Sequence, residues 1–151
     1  MSAPTRAEPE MRDRVDSTLS RLKRPLLYVM GVTYVVAGAM HFVVPALYVQ
    51  IIPPRFPNPL ALVYLSGVAE ILLGIGVVVP RTRRLAAWGL VALLVAIFPA
   101  NVYMATHDVM LEGLPAWAST PSNAATWARL PFQLVFIAWA WWYTRPMPET
   151  E

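Results

Sequence analysis

The sequence predicts an all-α integral membrane protein, a four-helix up-down bundle with both termini cytoplasmic. Three observations predict it. Of 151 residues, 57% are hydrophobic and 14% charged, with a mean hydropathy of +0.49, which lies outside soluble-domain composition. Leu26 to Val44, Leu60 to Val79, Leu85 to Met104 and Leu130 to Tyr143 are apolar runs, and the first three approach the ~20 residues a helix needs to cross ~30 Å of hydrocarbon. Basic residues gather on one side of the topology these runs create.

Residues 1–24 read as a cytoplasmic tail. Met11, Val15, Leu19 and Leu22 fall at helical spacing, which suggests a short amphipathic juxtamembrane helix on the inner surface. A solvated tail is the other reading. Residues 25–146 form the membrane domain, with spans at about 26–44, 60–79, 85–106 and 129–144, and 147–151 are a short cytoplasmic tail. Pro25, Pro45, Pro59, Pro80 and Pro146 bracket the spans, because proline lacks the amide a helix interior requires. Pro99 and Pro131 lie inside spans and free the carbonyls of Val95 and Trp127, which permits kinks. Ala37-Gly38-Ala39 imitates a signal-peptidase site, yet the apolar run continues to Val44 between basic flanks, as in a signal anchor. The fourth run is the shortest, and Trp139, Trp141, Trp142 and Tyr143 suit the headgroup level at its end.

Four spans put both termini and the second connection on one side, which holds Arg21, Lys23, Arg24, Arg81, Arg83, Arg84 and Arg145; the other side has Arg55 and Arg129. The positive-inside rule makes the first side cytoplasmic, and the location a multi-pass protein of the cell membrane. The inner turn PRTRR is short, whereas ALYVQIIPPRFPNP and THDVMLEGLPAWASTPSNAATW are long and apolar-rich, like lids over the mouth of the bundle. The twelve Lys and Arg form no patch with interleaved aromatics, so nucleic acid is not an expected partner. The absence of cysteine excludes disulfides, thiolate nucleophiles, iron–sulfur ligation and cysteine-based zinc sites. No glycine-rich phosphate loop, nucleophile elbow or metal-type histidine spacing occurs, so no catalytic set of the soluble kind is assigned.

An ionisable group inside a bilayer costs ~2.5 to 3.5 kcal/mol at the centre of a span, so each one points to function by default. Glu70 lies about 15 Å from Leu60 along the second span, near the midplane. Without a cation beside it, a carboxyl there is a protonated donor. Ser66, Glu70 and Gly74 form one stripe with Gly67 beside it, a face that packs helix on helix and turns Glu70 inward. Gly31, Tyr34, Gly38 and His41 repeat the pattern in the first span. Asn101, Tyr103 and His107 in the third run, with Arg129 and Gln133 in the fourth, add polar groups toward the outer mouth. The candidate ligand-binding set is therefore His41, Glu70, Asn101, Gln133, His107 and Tyr64. Each member has a plainer reading: Asn101 and Gln133 as interhelical glue, His41 as a hydrogen-bonded helix-end histidine, Arg129 as a snorkelling cation. A haem held by His41 and His107 is disfavoured, since no other signature supports it. No metal site is expected.

The strings HFVVPALYVQIIPP, LVYLSGVAEILLG, PRTRRLAAWGLVALLVAIFPANVYMATH and RLPFQLVFIAWAWWYTRP, between Pro25 and Pro146, together resemble the DoxX-like family of small prokaryotic membrane proteins. The resemblance rests on His41, Pro45, Pro53, Pro54, Glu70, the turn Pro80 to Arg84, Asn101 and Gln133. It implies a four-helix membrane bundle and an association with redox enzymes, because the family takes its name from a subunit of a thiosulfate:quinone oxidoreductase. Thiol chemistry does not carry over to a chain without cysteine. The first expectation is thus an accessory or small-ligand-binding subunit in a membrane redox context, its outer-half pocket suited to a quinone-like headgroup and its partners the bilayer and a redox protein. A noncatalytic assembly or stability partner is the alternative. A small proton-coupled transporter is a third reading and would require a homodimer, since four spans are too few for a pathway.

Overall fold

The computed structural model describes residues 7–107, 109–115, 119 and 121–146, and these are helical with no strand among them. The elements are α1 (Ala7–Val43), α2 (Pro45–Gln50), α3 (Pro59–Val78), α4 (Arg83–Thr106) and α5 (Asn123–Trp142). Three helical stretches, Arg21–Val43, Pro59–Val78 and Arg83–Thr106, are long and apolar enough to cross a membrane, which marks a membrane protein. The fourth expected span does not join them. α5 has the length, but Arg129, Gln133 and its tryptophans dilute its apolar character.

Several boundaries differ from the sequence reading, each for a local reason. Pro25 does not start a helix, because α1 runs straight through it from Ala7. Proline accepts helical φ and here gives up one bond to the carbonyl of Arg21, an exposed residue where the loss is cheap. The juxtamembrane segment and the first span are therefore one helix. Met11 and Leu22 of the amphipathic stripe are exposed, and the side chains of Val15 and Leu19 lie outside the described residues, as do residues 1–6 and 147–151. The connection after Val44 carries α2, with Pro45 at its first turn where a missing amide is harmless. Asn58 in a left-handed conformation (φ 50°) turns the chain into α3, a conformation asparagine tolerates. α5 begins at Asn123, six residues before the expected start at Arg129, because the Ser122 hydroxyl caps it by accepting from the Ala125 amide at 3.3 Å.

α1 packs on α3, α3 on α4 and α4 on α5, in chain order. Gly31 faces Gly74 and Gly38 faces Gly67, so α1 and α3 are antiparallel at close approach. The α3–α4 turn is tied by the Thr82 hydroxyl and the Arg83 guanidinium, which donate to the carbonyls of Gly76, Val77 and Val78 at the end of α3. At this turn end all four long helices share a core that includes Leu27, Met30, Val77, Ala87, Leu90, Ala140 and Tyr143. Tyr143 closes it, its hydroxyl donating at 2.8 Å to the Lys23 carbonyl of α1. Lys23 in turn reaches the Pro146 carbonyl at 3.4 Å and lies over the Trp142 ring. The opposite end holds no comparable core, and the candidate residues lie there.

Candidate functional site

His41 lies in the last turn of α1 and Glu70 in the middle of α3, both buried. Glycine is what brings them together. A Cβ on Gly38 would sit 2.5 Å from the Gly67 carbonyl, and one on Gly67 would sit 2.7 Å from the His41 Cβ. With hydrogens at both positions the two backbones nearly touch, and His41 Nδ1 stands 3.6 Å from Glu70 Oε2. The same Nδ1 is 2.9 Å from the Ala37 carbonyl, an acceptor, so Nδ1 carries a proton. Glu70 Oε2 has no hydrogen-bond partner despite full burial, and neither does the Tyr34 hydroxyl. Buried polar atoms are nearly always satisfied, so the orphaned oxygen sets Glu70, whose residue lines a cavity, apart from a simple packing position.

That cavity is a cleft of about 670 Å³ between the far halves of α1, α3, α4 and α5. His41, Glu70 and Asn101 supply its polar points, Arg129 stands at its rim, and the walls are apolar, among them Val63, Ala69, Ile97 and Pro99. α2 and the turn after it form a third side through Tyr48, Ile51, Ile52 and Phe56. The Tyr48 ring stacks on His41 at 3.9 Å and 24°. Burial pushes the Tyr48 phenol up from its usual range, so it stays a neutral donor at ordinary pH.

Across the cleft, Asn101 Nδ2 donates to Gln133 Oε1 at 2.8 Å, and Gln133 Nε2 donates to the Leu94 carbonyl at 2.6 Å. Leu94 precedes Val95, the carbonyl that Pro99 deprives of its amide, so Gln133 supports α4 where proline weakens it. Gln133 is buried behind Asn101 and does not line the cleft, while Asn101 does. Arg129, one turn before Gln133, has its guanidinium 2.9 Å from Met104 Sδ.

Two of the six expected site residues lie elsewhere. Tyr64 stacks on Phe42 at 5.3 Å and is exposed, because it shares the outward stripe of α3 with Val68 and Leu72 instead of the stripe of Ser66 and Glu70. His107 ends α4, bonded through Nδ1 to the Tyr103 carbonyl and against the Tyr103 ring. It lines a second recess of about 470 Å³ that shares only Pro53 and Pro99 with the first. The two histidines therefore face different spaces. The sequence reading leaves Tyr48 out of the site residues. Tyr48 lies seven residues beyond His41, but the break at Val44 hides that the two rings meet.

The α1–α3 and α4–α5 connections converge as well. Gln50 at the end of α2 donates to the Glu112 carbonyl at 3.3 Å and accepts from the Glu112 amide at 2.7 Å. One side chain thus pairs both backbone groups of Glu112 in the α4–α5 connection. Among the described residues no cluster of three or more His, Asp or Glu could hold a metal ion.

No curated protein and no solved structure matches this chain. Residues 30–144, which hold the close-packed glycines, the cleft and the Asn101–Gln133 clamp, match the family described as a domain of unknown function (DUF8561), and the chain belongs to that family.

Proposed function

We propose that this protein is an integral membrane subunit that binds a small apolar, quinone-like ligand in the cleft at the far end of its helices. The observation that carries this is the unpartnered, buried Oε2 of Glu70 beside His41 in a mostly apolar cleft. Ligand sites of ~300 to 1,000 Å³ with apolar walls and a few polar points are the common form. The donors for a ligand carbonyl are Glu70, the Tyr48 hydroxyl and the second N–H of the Asn101 amide, whose other N–H goes to Gln133. Glu70 and the His41 imidazole beside it are the pair that can exchange a proton with the ligand. The redox setting rests on the resemblance to DoxX-like proteins.

The same reading takes α5 as a fourth span, with both termini cytoplasmic. Its support is that Lys23 and Arg145 stand at the end where α3 turns into α4, together with Arg81, Arg83 and Arg84. The aromatic rings that carry Lys23 and Arg145 belong to Trp142 and Trp141, as in a headgroup belt.

The test is mass spectrometry of the organic extract from protein purified in mild detergent, beside an unrelated membrane protein as control. A stoichiometric apolar compound, lost in Glu70→Ala and in His41→Ala, is the expected result. Background lipid alone would remove the ligand reading. The alternative, a noncatalytic assembly partner, draws on the Asn101–Gln133–Leu94 clamp, which is sufficient as structural glue. It requires that Glu70→Ala lowers thermal stability while added quinones protect neither form.

A further inference from the structure

We infer that the cleft is loaded sideways from the bilayer, through a gap between α3 and α4, and that its ligand is a lipid-soluble molecule whose polar head rests at His41 and Glu70 while its apolar tail leaves through that gap. This rests on the ligand reading above and adds the route and the amphiphilic class of the ligand.

The gap follows from where α3 and α4 are held together. Near their shared turn the packing is tight: a Cβ on Gly76 would sit 3.0 Å from the Ala86 Cβ, and Gly89 lies directly against Leu73. The buried residues of α4 on this side are Ala86, Ala87, Leu90 and Leu94, and then none is buried until Met104. On α3 the fully buried stripe of Val63, Gly67, Glu70, Gly74 and Val77 includes Gly67 and Gly74, which meet α1. Beyond Leu73 the side of α3 toward α4, through Ala69 and Ser66, lines the cleft together with Ala96 and Ile97 of α4. The two helices share a tight turn and are separated by the cleft further along.

The position of the opening decides what can pass. Leu65 lines the cleft yet is 66% exposed, and Leu62 and Ala96 are likewise both lining and exposed. Leu65 lies about 9 Å into α3 from Pro59, and Ala96 about 15 Å into α4 from Thr106, by helical rise. Both helices are apolar enough to span a membrane, so the mouth between Leu65 and Ala96 lies at hydrocarbon depth and faces acyl chains. The far end is roofed by Tyr48, Ile52 and Phe56. A molecule dissolved in the bilayer reaches Glu70 without leaving hydrocarbon.

The chain has no cysteine, so single reporters can be placed without background. The experiment uses the full chain in phosphatidylcholine–phosphatidylglycerol vesicles with two probes, a benzoquinone carrying a decyl tail and its tail-less parent. Ala96→Trp narrows the mouth and leaves the His41 and Glu70 side chains in place, so it is expected to slow uptake of the tailed probe by about tenfold or more and of the parent by less. Glu70→Ala should lose both. A nitroxide on Leu65→Cys gives an independent readout: relaxation by oxygen and not by a water-soluble nickel chelate, with the label immobilised when the tailed probe binds. Access of the nickel chelate to this label would overturn the lateral route, and so would unchanged uptake in Ala96→Trp alongside loss in Glu70→Ala, which keeps the site but not its portal. Equal binding of both probes by wild type and Glu70→Ala would overturn the site, and the portal with it.

Discussion

Gly38 shows how much a single hydrogen atom does in this protein. The Gly67 carbonyl, the Ile71 side chain and the Glu70 Cβ all lie within 3.0 Å of where a Gly38 side chain would begin. Backbone cannot yield as a side-chain tip can, so Gly38→Ala is expected to cost about 1–3 kcal/mol through overpacking. The check is a lower thermal midpoint in detergent, together with loss of the His41–Glu70 approach. Gln133 acts by the opposite means, filling hydrogen-bond needs on two neighbours. Gln133→Leu removes the partner of Asn101 and of the Leu94 carbonyl and should cost about 1–2 kcal/mol, the usual scale for side-chain bonds between helices in a membrane. A double substitution with Asn101→Leu should cost less than the sum of the two singles, because the orphaned amide is then gone. Strict additivity in chemical denaturation would show that the clamp is not one unit.

At the scale of elements, prolines and glycines divide the work. Pro25, Pro99 and Pro131 are tolerated inside helices, whereas Pro45 and Pro59 begin them. The difference is positional, since a first-turn proline loses no bond and an interior one loses one. α2 is six residues long and has no buried residue, so its own propensity cannot hold it. What holds it is packing on α3, the Tyr48–His41 stack and the Gln50–Glu112 pairing. Gln50→Ala should therefore speed hydrogen exchange at the Glu112 amide by about tenfold, a loss near 1.4 kcal/mol, while the exchange of α3 is unchanged. Unaltered exchange at Glu112 would mean that the α4–α5 connection is held by other contacts, such as the Leu111 amide on the Ser119 carbonyl at 2.7 Å.

For the whole molecule, asymmetry along the helix axes is the main feature. One end is filled by side chains from four helices, and the other end opens into a cleft. Basic residues concentrate at the filled end and the buried carboxyl lies toward the open one. Reporter fusions at both termini should thus be active on the cytoplasmic face, and Arg81→Glu, Arg83→Glu and Arg84→Glu combined should erode that orientation. A reporter that is active on opposite faces for the two ends would rule out α5 as a fourth span.

The sequence by itself determined the helical, membrane-type character, the extents of α3 and α4 to within two residues, and the inward orientation of Glu70. These are properties of composition and of a 3.6-residue period, which are local along the chain. It also placed Asn101 and Gln133 on facing helices. The tertiary structure alone decided that α1 continues through Pro25, that α5 starts at the Ser122 cap, and that Tyr64 and His107 stand apart from the cleft. It alone decided that His41 meets Glu70 under Tyr48. Those outcomes depend on how closely two backbones approach and on the rotation of each helix about its axis. Both are set by contacts between segments distant in sequence, here Gly38 on Gly67, which no local pattern encodes.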